Sequence, residues 1–339
     1  MKNSASVDIC FYIPTTFWPT QLPFSSAENW SGFGLGIYAW TVQTYLKLRE
    51  AGVACRLTDQ LPEEGIVLFH ANATRGGNIR PGAHRLLICL KAEATLCAQA
   101  QFHVVQNPCE AVGWLGCYFI PHWPQPGLQP RLAERKNRFE TIAFLGHRNS
   151  LAAELMEPEW EKQLQQRGLN WLPVINTNVW DSHQAVDTRW NDYRNIDAIV
   201  AVRQFNLKRP GYRRKPATKL YNAWLAGVPA IVGRELAYQT VGTAGVNYLE
   251  ANSMAELLSC LDRLRQDSLL RARIVKKGQI RSIHYTPEVI TQRWQQFLNE
   301  VAIPAYQAWC SCSDWRRQVQ YGQARLRNYG DRITRRLNL

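Results

Sequence analysis

Apolar residues recur along this chain in two rhythms. Short continuous runs, VDICFYIP (Val7–Pro14), ACRLT, GIVLFHAN, HRLLICL, FHVVQNP and CYFIP, are bounded by turn residues and suit strands covered on both faces. Between the first two, Leu35, Ala39, Val42 and Leu46 fall at helical spacing and predict a helix from Leu35 to Glu50, stopped by Gly52. Similar short helices are expected between the later strands. A proline-rich, then charged, stretch from Pro121 to Arg138 interrupts the pattern, which restarts with TIAFLG (Thr141–Gly146). A helix from about Leu151 to Arg167, a strand NWLPVI, a helical piece through Tyr193 and a strand AIVAVR follow. Next comes RRKPATKLYNAWLAGVPAIVG (Arg213–Gly233), whose Pro216 suits a first helical position. Leu220, Ala223, Trp224 and Gly227 then form one apolar face. Ser253 and Glu256 give SMAELLSCLDRLRQ the N-cap and third-position acid of a capped helix.

Two β/α series around a proline-rich joint predict an α/β protein, with two doubly wound parallel sheets facing a central cleft. The expected parts are a first domain over 1–122, a linker over 123–139, a second domain over 140–300 and a helical tail over 301–339. Ligands of such sheets bind outside the carboxyl ends of the strands, so the cleft is the expected site.

Charge sharpens that expectation. The chain of 339 residues carries a formal net charge of +13, which favours an anionic partner. No apolar run is long enough to span a membrane, and the N-terminal MKNSASVDICFYIP has no signal-peptide core. The nine cysteines are scattered and odd in number; Cys310 and Cys312 form the one close pair, without a matching His/Cys pair to complete a zinc set. These features suit a cytosolic protein with reduced thiols and no metal.

Arg213, Arg214, Lys215 and Lys219 crowd the beginning of a helix, its positive pole, where each exposed cation costs roughly 0.3–1 kcal/mol. A diphosphate seated there would remove the repulsion. It would also accept hydrogen bonds from the free backbone N–H groups, the Thr218 hydroxyl and Lys219, with Arg203 on the same rim. The alternative is a solvated basic loop over Lys208–Lys215. Gly146, His147 and Arg148 offer a similar strand-to-helix turn that either touches the same ligand or is an ordinary cap.

From TIAFLGHRNS through AIVAVR, KPATKLYNAWLAGVPAIVG and GVNYLEANSMAELLSCLDRL, the C-terminal half resembles the donor-binding domain of GT-B-fold glycosyltransferases. WSGFGLGIYAW resembles the glycine loop of their acceptor-side domain, with Gly32, Gly34 and Gly36. The resemblance implies two Rossmann-like domains, a nucleotide-sugar donor, a hydroxyl acceptor and a diphosphate neutralised by Arg203 and Lys219, with Lys215 at the start of the same helix. Where many retaining members carry two glutamates this chain has Arg214 and Asn222; Asn222 can still hydrogen-bond a ribose hydroxyl. No Asp-x-Asp metal motif occurs, so no cofactor is expected. An inverting reaction needs a base, for which His70 and Glu28 are the candidates, while His122 marks the hinge. A retaining one needs none, and both courses stay open.

Trp315, Val319, Gly322, Leu326, Tyr329, Ile333 and Leu337 form a final apolar stripe among arginines. It packs across the domains, or it attaches the protein to anionic lipid. A basic nucleic-acid-binding protein and an inactive glycan-binding relative are the competing functions. The first lacks aromatics interleaved with its arginines, and nucleic acid is not the expected partner.

Overall fold

A computed structural model describes residues 7–176 and 187–337. The first sheet contains β1 (Ile9–Tyr12), β2 (Arg56–Thr58), β3 (Gly65–His70), β4 (Arg85–Leu90), β5 (Phe102–Val105) and β6 (Cys117–Phe119), all parallel in the order β2-β1-β3-β4-β5-β6. The second contains β7 (Thr141–His147), β8 (Asn170–Asn176), β9 (Ala198–Ala201), β10 (Ala230–Val232) and β11 (Leu249–Glu250), also parallel, in the order β11-β10-β9-β7-β8. Each sheet thus reverses direction beside its own first strand, and a crevice opens at the carboxyl ends there. His70 ends β3 at one crevice; Gly146 and Arg203 stand at the ends of β7 and β9 at the other.

The helices are α1 (Gly36–Trp40), α2 (Val42–Glu50), α3 (Pro158–Gln165), α4 (Thr218–Ala226), α5 (Leu236–Gln239), α6 (Met254–Gln266), α7 (Ser268–Ser282), α8 (Pro287–Phe297), α9 (Ile303–Ser311) and α10 (Asp314–Leu337). Three sequence boundaries move. The helix expected over Leu35–Glu50 is two pieces with a turn at Thr41, whose hydroxyl donates to the Ile37 carbonyl and competes with the helical ladder. The helix expected from Leu151 starts at Pro158, because a proline with no N–H to give fits a first helical position. Of the helical piece expected before Tyr193, residues 177–186 lie outside the described residues, and Arg189–Asn191 is one 3₁₀ turn.

Every residue of β3 and β4 is buried, as their continuous apolar sequence requires, so both faces need cover. The helices expected between these strands are absent: β3 to β6 are joined by 3₁₀ turns and loops. Helix α8, inside the segment assigned by sequence to the second domain, and α9 beyond it supply the cover. Ile290, Trp294, Phe297 and Trp309 share one core with Phe11, Ile66, Leu68 and Ile88 of the first sheet. The second sheet is closed by α3, α6 and α7 on one face and by α4 on the other, through Leu220, Ala223 and Trp224.

Candidate active site

A cavity of about 470 Å³ lies between the two sheets. Gly34, Gly36, Trp40, His70, Asn72 and Lys91 line it from the first domain; Gly146, His147, Arg203, Lys215, Thr218, Lys219 and Asn222 line it from the second. Helix α4 begins at its wall. It starts at Thr218 rather than Pro216, because Ala217 takes the N-cap position. Ala217 has no side chain to cap the helix, so the first N–H groups stay free of side-chain partners. Gly227 in the left-handed conformation ends the helix, where glycine alone is unstrained.

The crowd of cations sorts itself. Arg213 donates to the Cys109 carbonyl at 2.9 Å, Arg214 pairs with Asp331 of α10 at 2.7 Å, and Lys215 pairs with Glu93 across the cleft at 2.5 Å. Lys219 makes no ion pair or hydrogen bond among the described residues; its ammonium sits over the Phe144 ring, 5.3 Å from the centroid. It also lies against Gly146, where a Cβ would stand 3.1 Å from Nζ and press on the ammonium. Burial, and then repulsion from Arg203, push the Lys219 ammonium down to about 7.

Arg203 is 5% exposed and ion-paired with Glu235, which is 1% exposed, and its guanidinium lies over the Tyr212 ring. Burial raises the Glu235 carboxyl against the pull of Arg203 and Lys219. The pair is locally neutral, so at the start of α4 the unpaired positive charge is that of Lys219, while Arg75 and Arg335 line the cavity farther along. Three buried polar atoms here lack a protein partner: Arg203 Nε, Thr218 Oγ1 and His70 Nε2. Together with Lys219 they are donors without an acceptor, as in a site built for an anionic, oxygen-rich ligand.

His70 does not behave as the expected base. Its Nδ1 accepts from the Asn72 N–H at 3.1 Å, which puts the proton of the neutral ring on Nε2. Burial, with His122 and Arg75 nearby, lowers its pKa to about 3, so the ring stays neutral and presents an N–H donor. Glu28 is exposed outside the cavity, where its carboxylate accepts from the Phe24 N–H at 2.9 Å. Arg148 is likewise exposed and does not line the cavity. His147 faces inward, but its Nε2 bonds the Gly34 carbonyl at 3.0 Å, fastening the glycine loop to the second domain. Gly36 backs onto His70, with a Cβ there 3.4 Å from Nε2, while Gly32 is occupied by the Trp30 ring. Asn222 is buried and accepts from the Gln125 N–H of the linker at 3.0 Å. His122 lines the cavity beside Trp40.

Glu93 and Glu235 escaped the sequence reading. Neither lies in a motif, and their roles exist only through partners far along the chain, Lys215 and Arg203. The acid two residues past the VPAIVG strand was the one available signal for Glu235.

No family model matches the sequence, and no curated protein matches it. Solved structures do. Anabaena HepE in complex with UDP-glucose superposes with a TM-score of 0.53 at 10% identity, over 87% of this chain and 100% of that one. Sucrose-phosphate synthase from Thermosynechococcus elongatus gives 0.56 at 12%, over 88% and 100%. AviGT4, a glycosyltransferase of avilamycin A biosynthesis, gives 0.50 at 13%, over 90% and 98%. The chain therefore has the two-domain GT-B fold of these glycosyltransferases.

Proposed function

We propose that the chain transfers a sugar from a nucleotide-sugar donor to a hydroxyl acceptor, without a metal, in the cavity between its domains. The observation that carries the reading is the set of unpartnered donors, Lys219 Nζ, Thr218 Oγ1 and Arg203 Nε, at the open start of α4. The bond from the anomeric carbon to the diphosphate breaks with its electron pair going to the phosphate oxygen. Negative charge grows where these donors converge, and each donor of this kind is worth about 10²–10³ in rate. The acceptor oxygen takes the anomeric carbon. Its proton passes either to Glu93, the one carboxylate among the described residues lining the cavity, or to the departing diphosphate. His70 Nε2–H supplies a fixed hydrogen bond to the sugar or the acceptor.

Thermal shift and slow donor hydrolysis with UDP-, GDP-, ADP- and dTDP-sugars, with and without chelator, test the reading. One donor is expected to stabilise the protein, and Lys219→Ala and Thr218→Val to abolish most of that shift. Arg203→Ala is a poorer probe because it strands a buried Glu235. No response to any donor, together with salt-sensitive binding of oligonucleotides, refutes the proposal.

A further inference from the structure

We propose that α10 is a docking helix that lays its outer face into an anionic lipid surface. The helix is inside out. Arg317, Tyr321, Ala324, Asn328 and Asp331, at spacings of three and four, face the protein. Asp331 accepts from the Leu96 N–H at 2.9 Å and pairs with Arg214, Asn328 donates to the Leu96 carbonyl, and Arg317 donates to the Trp309 carbonyl at 3.1 Å. The apolar stripe read from the sequence points the other way. Trp315, Leu326 and Tyr329 are 72%, 73% and 66% exposed, and Val319 and Ile333 are 41% exposed. With 3.6 residues per turn the two stripes lie about 160° apart. A helix packed on a globular body buries its apolar side; this one is anchored by polar contacts and offers that side to the surroundings.

Charge selects the occupant. Arg316, Arg325 and Arg332 are exposed along the two flanks of the stripe, with no ion-pair partner among the described residues. Apolar, aromatic-tipped centre and arginine edges match an anionic bilayer interface. A second copy of the chain seated on the same stripe would set arginine against arginine, and a nucleic acid would leave the stripe wet. A cavity of about 1010 Å³ opens along one flank of α10, with Leu326 at its rim, apolar Leu96, Val112 and Leu115 inside, and Arg213, Arg327 and Arg335 around it. It meets the donor cavity at Lys91, Glu93, Lys215 and Arg335, which line both. On the proposed glycosyl-transfer reading, this is the route for an acceptor held in the lipid; docking itself does not depend on that reading.

Flotation of the full chain with phosphatidylcholine vesicles holding about one-third phosphatidylglycerol, and with phosphatidylcholine alone, tests the inference. Binding is expected on the anionic vesicles only. Trp315→Ser/Leu326→Gln/Ile333→Gln is expected to weaken it at least about tenfold. Arg316→Gln/Arg325→Gln/Arg332→Gln is expected to weaken it and remove its salt dependence. All six side chains face outward, so both variants should keep the wild-type melting temperature and any nucleotide-induced shift. Undiminished flotation of the stripe variant, absence of flotation in the wild type, or a wild-type dimer that the stripe variant dissociates each overturns the proposal. Flotation without any nucleotide response would remove the glycosyl-transfer reading and leave the docking helix standing.

Discussion

Replacing Lys219 by methionine, similar in length and uncharged, should move stability and binding in opposite directions. In the free protein the ammonium is half-buried, repelled by Arg203 and Lys215, and lowered from 10.5 to about 7. The folded pKa lies below the unfolded one, so between pH 7 and 10.5 the unfolded chain holds more protons and stability rises with pH. The penalty is present in full below pH 7. That drop corresponds to at most about 5 kcal/mol, and solvent relaxation around the half-buried side chain reduces it to about 1–3 kcal/mol. At pH 6 the methionine variant is expected to be more stable by about 1–3 kcal/mol, each worth about 2–4 °C in Tm. At pH 9, where the wild-type lysine is already neutral, the gain should shrink. A diphosphate, in contrast, draws the proton back. Nucleotide binding at pH 8 should take up nearly one proton, and affinity should fall by up to about tenfold per pH unit above 7. The variant loses charge-assisted contacts worth about 2–4 kcal/mol, a 30- to 1000-fold weakening. Calorimetric melts at pH 6 and 9, and titration calorimetry of the stabilising nucleotide in buffers of different ionisation enthalpy, measure all of this. A variant less stable than wild type at pH 6 that still binds nucleotide as tightly would refute the electrostatic argument.

Thr218→Val removes a buried hydroxyl with no partner, and should leave the free protein as stable as before while weakening nucleotide binding about 5- to 30-fold by calorimetry. Because His70 stays neutral down to about pH 3, the pH profile of kcat/KM should show no limb from this residue between pH 5 and 8, and nitrogen NMR should find its proton on Nε2. Glu93→Gln separates the two proton acceptors: a fall in kcat of about 10²-fold or more assigns the task to Glu93, and a small change assigns it to the departing diphosphate. Trp294→Ala opens a cavity in the first domain from a helix far along the chain, and should cost about 3–5 kcal/mol in denaturant unfolding.

What the sequence made legible follows from how local each feature is. Strand runs such as GIVLFH and TIAFLG, the apolar face of α4 and the Gly227 stop depend on near neighbours, and all stand in the structure. The convergence of Arg203, Thr218 and Lys219 followed from one rule about strand ends and helix starts. Pairings across the cleft did not follow. Nothing near Lys215 announces Glu93, and nothing near Arg214 announces Asp331, so four cations looked unpaired where two of them have carboxylate partners. His70 looked like a base because its residue type titrates near neutrality; the Asn72 N–H that fixes its proton comes from the turn geometry. The tail's stripe was visible, but periodicity gives the width of an apolar face and not the direction it points.

The borrowed cover over the first sheet bears on how the protein is made. Ile290, Trp294 and Trp309 follow both sheets in chain order, so the first lobe is synthesised while that face of its sheet is covered only in part, by residues such as Trp40, Leu48 and Trp123. The lobe translated later holds its own core, and can be complete sooner. The usual amino-to-carboxyl order of domain maturation is thus expected to be reversed. A nascent chain stalled before Pro287 should present that partly covered apolar face to chaperones, and emergence of α8 and α9 should be the event that clears it.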